Sequence, residues 1–287
     1  MPKVTVIIPN YNHAKFLEQR IDSVITQTYQ DFEIIILDDC STDNSKNIIE
    51  RYRGNSKVKE IVYNTRNSGS AFKQWEKGIS LAKGEYIWIA ESDDFADIFF
   101  IETLLECFTT QKDIGIAFCN SNWINDKNEI GISLSLHLKS RFALGNKEII
   151  TLLYYNTIQN VSSALIKTNL AKKYTSQLWK FRSCGDWLFY IQILSESNLY
   201  YTEKILNNFR WYHDNISNSA FKNGLWITEG TKLLSLLNPK TIKLPRRELH
   251  QTIKMWLSKI WGNNGLDIKA RIKSTIDIAT FYIRFAI

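Results

Sequence analysis

The sequence predicts an α/β fold, a doubly wound and mostly parallel sheet followed by a helical C-terminal extension. Two patterns carry this reading. Over the first 90 residues, continuously apolar, β-branched runs alternate with amphipathic helical segments across short connections, as strands covered on both faces require. Beyond Pro239, apolar residues recur at helical spacing instead.

The elements follow in order. VTVII (4–8) is the first strand, too short for the apolar core of a signal peptide and without a small-residue cleavage site. A helix then places Phe16, Leu17, Ile21, Val24 and Ile25 on one face. FEIIIL (32–37), a helix over 44–52, VKEIVY (58–63), a helix over 71–82 and YIWIA (86–90) continue the alternation.

At 287 residues, with 44% hydrophobic and 13% aromatic content, the chain can bury the core of one large domain or two small ones, which excludes disorder. No stretch reaches the roughly 18 uncharged apolar residues of a membrane span. Cys40, Cys107, Cys119 and Cys184 stand far apart with no CxxC pair, so free thiols are expected instead of disulfides or zinc. The net charge of +7 resides in the tail, where ten Lys or Arg face three acids from Pro239 onward, leaving the preceding body neutral. A neutral body argues against a nucleic-acid partner and directs attention to an anionic surface met by the tail.

Ligands of doubly wound sheets bind outside the carboxyl ends of the strands. There the chain carries Pro9-Asn10-Tyr11-Asn12, then Asp38-Asp39-Cys40-Ser41-Thr42-Asp43, then Asn64-Thr65-Arg66-Asn67-Ser68-Gly69, then Glu91-Ser92-Asp93-Asp94. So many carboxylates at one crevice call for a cation, and oxygen ligands without His or Cys favour Mg²⁺ or Mn²⁺ completed by phosphate oxygens. Asp43 and Ser41 also read as caps of the helix that follows them. There is no GxxxxGK[ST], no GxGxxG after the first strand, and no Gly-rich, Arg-containing first loop of a sugar nucleotidyltransferase.

VIIPNYN, LDDCSTDNS, the NSG segment, GEYIWIAESDD and a later GDW, in this order, resemble the family 2 glycosyltransferases of GT-A fold. The likeness covers about residues 3–215 and is strongest with bacterial members that build surface polysaccharides. It implies a catalytic domain over 1–215, with a nucleotide-sugar half to about 122 and an acceptor half over 123–215, followed by a basic helical region over 216–287. It further implies that Pro9 and Tyr11 flank the base of a UDP- or dTDP-sugar, with Asp39 accepting the base N–H. Asn67, Lys73, Glu91 and Ser92 would line the rest of the nucleotide, and Asp93, Asp94 and His213 would hold Mn²⁺ or Mg²⁺. Glu91 stands where the commoner residue is Asp.

The resemblance assigns the catalytic base to Asp186, which opens the apolar run LFYIQIL; the Glu that often precedes it is here Gly185. A helix N-terminus is expected to lower its pKa. The implied reaction is inverting transfer to a glycan or lipid-linked saccharide. In the tail, Ile253, Trp256, Leu257, Ile260 and Trp261 form one apolar face, and Ile268, Ile272, Ile276 and Ile283 another. These faces suit the cytoplasmic side of an anionic membrane, the chain's own body or a homodimer partner. A nucleotide-binding homologue without turnover and a metal-dependent phosphohydrolase remain as alternatives.

Overall fold

The structure, a computed structural model, describes residues 1–131, 139–158, 160–211, 219–220 and 222–286. Its strands are β1 (Val4–Asn10), β2 (Phe32–Asp38), β3 (Val58–Tyr63), β4 (Tyr86–Ile89), β5 (Phe95–Ala96), β6 (Ile114–Ile124), β7 (Arg141–Ala143), β8 (Ala164–Lys167) and β9 (Asn198–Arg210). The helices are α1 (Ala14–Ile25), α2 (Ser45–Arg51), α3 (Ala71–Leu81), α4 (Phe100–Thr110), α5 (Gly145–Leu152), α6 (Thr168–Tyr174), α7 (Gly185–Leu194), α8 (Leu225–Leu236), α9 (Arg246–Gly262) and α10 (Ile268–Ala286).

One sheet runs in the order β3-β2-β1-β4-β8-β6-β9-β5, with β7 paired to β9. β3, β2, β1 and β4 are parallel, as their apolar runs predict, with Ile7 opposite Ile35 and Asn10 opposite Asp38. β8 enters antiparallel between β4 and β6. Alternate side chains of β1 feed two cores: Val4, Val6 and Ile8 meet α1, α2 and α4, while Ile7 meets α3 and the helices that follow. The division expected at residue 122 falls inside β6, so the two halves share a sheet instead of meeting at a linker.

The C-terminal helices belong to the second core. Trp256 and Ile260 of α9 are fully buried, so at these residues the apolar face meets the chain's own body, one of the three surroundings expected for it. A physical reason is the buried C-terminus of α5, whose last carbonyls need donors. Trp187 Nε1 donates to Leu152 O at 2.7 Å, Trp256 Nε1 to Leu153 O at 2.8 Å and Lys259 Nζ to Tyr154 O at 3.0 Å. A cation at that helix end also meets the favourable pole of its dipole. Gly230 of α8 is what lets Trp256 in, since a Cβ there would lie 2.3 Å from the indole Cη2. The helical C-terminal extension expected from the sequence is present and packs on the body. The four cysteines are free, as expected.

Candidate active site

The carboxyl ends of β1, β2, β3 and β4 converge on one crevice because the strands are parallel and in register. The loops after β1 and β2 are locked together. Asp38 accepts from Asn10 Nδ2 at 2.8 Å and from Ser41 Oγ at 2.6 Å, while Asn12 Oδ1 accepts the Thr42 N–H at 2.7 Å. Asn12 and Cys40 take left-handed backbone at φ 56° and 63° to make these turns. Asp43 caps two helices at once, accepting from Ala14 N and Ser45 N, which bears out its cap reading. Ser41 instead serves Asp38.

Pro9 is buried in β1, and Tyr11 stands just beyond the strand end, 45% exposed at the mouth of the crevice. Asp39 is 3% exposed and heavily bonded: Asn64 Nδ2 donates at 2.6 Å, Ser68 N at 2.9 Å, Ser68 Oγ at 2.7 Å and Gln74 Nε2 at 2.9 Å. Asn67 holds the same loop, donating to Asp39 O at 3.0 Å and accepting from Gly69 N at 2.7 Å, where Gly69 has φ +71°. Lys73 is exposed; its Nζ reaches Ser68 O at 3.2 Å and lies over the Trp179 ring.

The acidic segment after β4 is sorted by burial. Ser92 turns inward to His13 Nδ1 at 2.8 Å and is 1% exposed. Asp94 also turns inward, accepting from Asn160 Nδ2 at 2.9 Å and Arg210 N at 2.9 Å, with Arg20 Nη2 at 3.9 Å. With 2% exposure and both carboxylate oxygens bonded from behind, Asp94 braces the segment. Asp93 and Glu91 face the crevice half-buried. Glu91 accepts from Trp75 Nε1 at 2.6 Å, and burial, then the Asp93 charge, push its carboxyl up to about 8. His213 lies outside the described residues.

Like-charged oxygen donors crowded in this way fit a single Mg²⁺ or Mn²⁺ held at Asp93 beside Glu91. Among the described residues no group of three or more His, Cys, Asp and Glu is arranged to hold a metal by itself, so ligand oxygens would complete the shell.

Asp186 sits in the first turn of α7, half-buried, and accepts from Asn156 Nδ2 at 3.1 Å. The pKa lowering expected from the helix N-terminus is reversed. Desolvation outweighs the Trp187 backbone bond and the Asn156 bond and raises Asp186 to about 7. A contact path joins it to the acidic segment: Gly185 packs on Phe72, Phe72 lies edge-on to Trp75 at 4.9 Å, and Trp75 bonds Glu91. Tyr190 is fully buried, its hydroxyl is without a hydrogen-bond partner among the described residues, and burial, then the charges of Asp186 and Glu91, hold it well above its ordinary range.

Sequence reasoning missed several of these residues. Arg20 is fully buried and its Nε donates to Glu91 O at 2.8 Å. The available signal was a charge three residues after Leu17, inside the apolar stripe of α1. Arg210 donates from Nε to Asp93 O at 2.7 Å, gripping the acidic segment from behind. Glu229 of α8 accepts the backbone N–H groups of Arg182, Ser183 and Cys184 at 2.7, 2.8 and 2.9 Å, fixing the approach to α7. Tyr190 could have been found at i+4 from Asp186.

The chain superposes on Staphylococcus aureus TarS 1–349, solved in complex with UDP-GlcNAc, with a TM-score of 0.65 at 18% identity, covering 99% of this chain and 89% of that one. It superposes also on the mannosyltransferase PcManGT of Pyrobaculum calidifontis, solved with GDP-Man and Mn²⁺, at 0.60 and 14% identity over 99% and 86% of the two chains. The fold is therefore GT-A.

In sequence, the chain is 38% identical over 117 residues to the glycosyltransferase GlyG of Streptococcus pneumoniae, 41% of this chain and 38% of GlyG. It is 39% identical over 98 residues, 33% of this chain, to the poly(ribitol-phosphate) β-N-acetylglucosaminyltransferase TarP of S. aureus. The matched stretches thus span 38% and 29% of these relatives' own lengths. The model of glycosyl transferase family 2 matches residues 5–164, more than half of the 287, from β1 through the acidic segment to the start of β8. A crevice built from those strand ends and a match of that extent lead to one conclusion: the chain belongs to glycosyl transferase family 2.

Proposed function

We propose that the protein is an inverting glycosyltransferase, moving a sugar from a UDP- or dTDP-sugar to a glycan or lipid-linked saccharide in bacterial surface-polysaccharide synthesis. The observation that carries this is the acidic segment after β4 in a chain of glycosyl transferase family 2, with Asp186 linked to that segment through the packing of Gly185 on Phe72 and Trp75. TarS, solved with UDP-GlcNAc, supports a UDP-sugar donor, and TarP, named for a poly(ribitol-phosphate) acceptor, supports a polymeric acceptor. The compartment is the cytoplasm, at the inner face of the membrane where a lipid-linked acceptor would lie.

Tyr11 offers its exposed ring to the face of the base. Pro9 shapes the adjoining wall, and Asn67 and Asp39 hold the loop that closes over it, with Asp39 offering its backbone or a freed carboxylate oxygen to the base N–H. Lys73 approaches the phosphates as a mobile cation. A divalent cation at Asp93, when bound, would neutralise charge developing on the leaving diphosphate. Asp186 takes the proton of the acceptor hydroxyl, whose oxygen attacks the anomeric carbon as the diphosphate leaves, inverting that centre. Asn156 orients the carboxylate, and a pKa of about 7 suits a base working near neutral pH.

Calorimetry tests the donor site. UDP or dTDP should bind more tightly than GDP or ADP, and more tightly with Mn²⁺ than with EDTA. Tighter binding of the purine diphosphates, or affinity indifferent to EDTA, would refute the corresponding half of the reading.

A further inference from the structure

Helices α9 and α10 run as a hairpin against the body, and the inward side of α10 is occupied by Ser274, Ile278 and Phe281, all buried. Yet α10 has a second apolar side. Ile268, Ile272, Ile276 and Ile283 recur at i, i+4, i+8 and i+15, which at 100° per residue is one row opposite the buried one. They are 59%, 51%, 60% and 56% exposed. At the hairpin tip Trp261, 51% exposed, continues the row, with the Arg271 guanidinium lying over its ring and bonding Asn263 O at 2.8 Å. A helix that only packs on its own domain has one apolar side, not two.

The charges around the row identify its occupant. Lys269 and Lys273 are exposed along one flank. α9 forms the other flank, as the ring contact of His250 with Tyr282 fixes, and there Arg247 and Lys254 are exposed. Two of the region's three acids are engaged elsewhere, and the third is partly buried. Glu248 accepts from the Tyr154 hydroxyl and Asp267 caps α10 through the Ala270 N–H, while Asp277 keeps one enclosed oxygen unpaired among the described residues and lies in the field of Lys273. A second copy on this face would bring like-charged flanks together, which opposes a symmetric dimer. Among the described residues no helix is long and apolar enough to cross a membrane. An apolar row bracketed by bases is instead the pattern of a helix lying in the interface of an anionic bilayer.

We infer that the outward row of α10 seats the chain on an anionic lipid surface, with the isoleucines at the acyl boundary and Lys269, Lys273, Arg247 and Lys254 toward headgroup phosphates. The seat lies on α10 and the Trp261 tip, not on Trp256 and Ile260 of α9, which are buried. It specifies how the membrane contact in the proposed function is made, and lipid binding reads it without any transfer reaction, so the two fail separately.

Flotation of the full chain with phosphatidylcholine vesicles, and with vesicles that also contain phosphatidylglycerol, tests it. The chain should float with the anionic vesicles only, and less so as salt rises. Ile272→Ser with Ile276→Ser, and separately Lys269→Gln with Lys273→Gln, should each lower binding about tenfold or more. Their circular dichroism and melting should stay unchanged, since these side chains are exposed. Equal binding to both vesicle types, binding to neither, or an isoleucine double variant that floats like the parent would overturn the assignment. So would a dimer in sedimentation that the isoleucine variant abolishes, because the row would then belong to a second copy.

Discussion

A Cβ placed on Gly185 would stand 2.8 Å from both Cε2 and Cζ of the Phe72 ring and 3.0 Å from Leu178 O. The residue before Asp186 is glycine because α3 occupies the space in which a side chain would sit. Gly185→Ala should therefore destabilise the protein by about 1–2 kcal/mol in chemical denaturation, the cost of overpacking a tight contact. Phe72→Leu in the same chain should recover part of that loss. Gly185→Glu, which restores the acidic doublet common in the family, should be the worst of the three.

Asp186→Asn should separate stability from turnover. Its folded pKa of about 7 lies above the ordinary 3.8, so the proton it keeps stabilises the fold at low pH, and ionisation costs stability as pH rises through 7. Asn removes that cost, so at pH 8 the variant should melt higher by roughly 2 kcal/mol equivalent, and the difference should vanish below about pH 4. Transfer should fall by about three orders of magnitude with UDP affinity nearly intact. In the parent, the rate should rise with pH through about 7, because the base must be ionised. The groups facing Asp186 are Asn156, Cys184, Tyr190 and Glu229; burial holds both Cys184 and Tyr190 well above their ordinary ranges, so neither titrates in this window.

Glu229→Gln keeps the size of the side chain that holds the backbone of residues 182–184 but weakens its charge-assisted bonds. The expected result is a drop in kcat of about tenfold with donor KM unchanged, because Asp186 is displaced while the nucleotide loops are not. Equal loss of donor affinity would show that Glu229 merely supports the fold.

Asp93→Asn should abolish the difference in UDP affinity between Mn²⁺ and EDTA, measured by calorimetry. Asp94→Asn should instead lower the melting temperature, since Asp94 is bonded to Asn160 and Arg210 from behind. A variant at Asp94 that keeps its melting point and loses metal dependence would place it in the ligand set.

The parallel half of the sheet was legible because each strand is a continuous apolar run, and its boundaries agree with the structure to within two residues over β1–β4. The strand ends named the crevice. What the sequence did not distinguish is which way each polar side chain turns: Asp94 and Ser92 share a motif with Asp93 but face Arg20, Asn160 and His13, residues far away in the chain. The tail was left open between membrane, body and partner for a similar reason. Both α9 and α10 have apolar faces, and only the tertiary demand of the α5 carbonyls for Trp256 and Lys259 decides which face is buried. The pKa of Asp186 also inverted, because helix position is visible in a sequence and desolvation is not.

The most direct test of sugar transfer at this crevice is the anomeric configuration of the product, read by proton NMR after incubation with an α-linked UDP-sugar and saccharide acceptors. The expected result is a β-linked product formed with release of UDP by the parent chain and absent with Asp186→Asn, which still binds UDP. An α-linked product, or undiminished turnover in Asp186→Asn, would contradict both the inverting reaction and the assignment of its base.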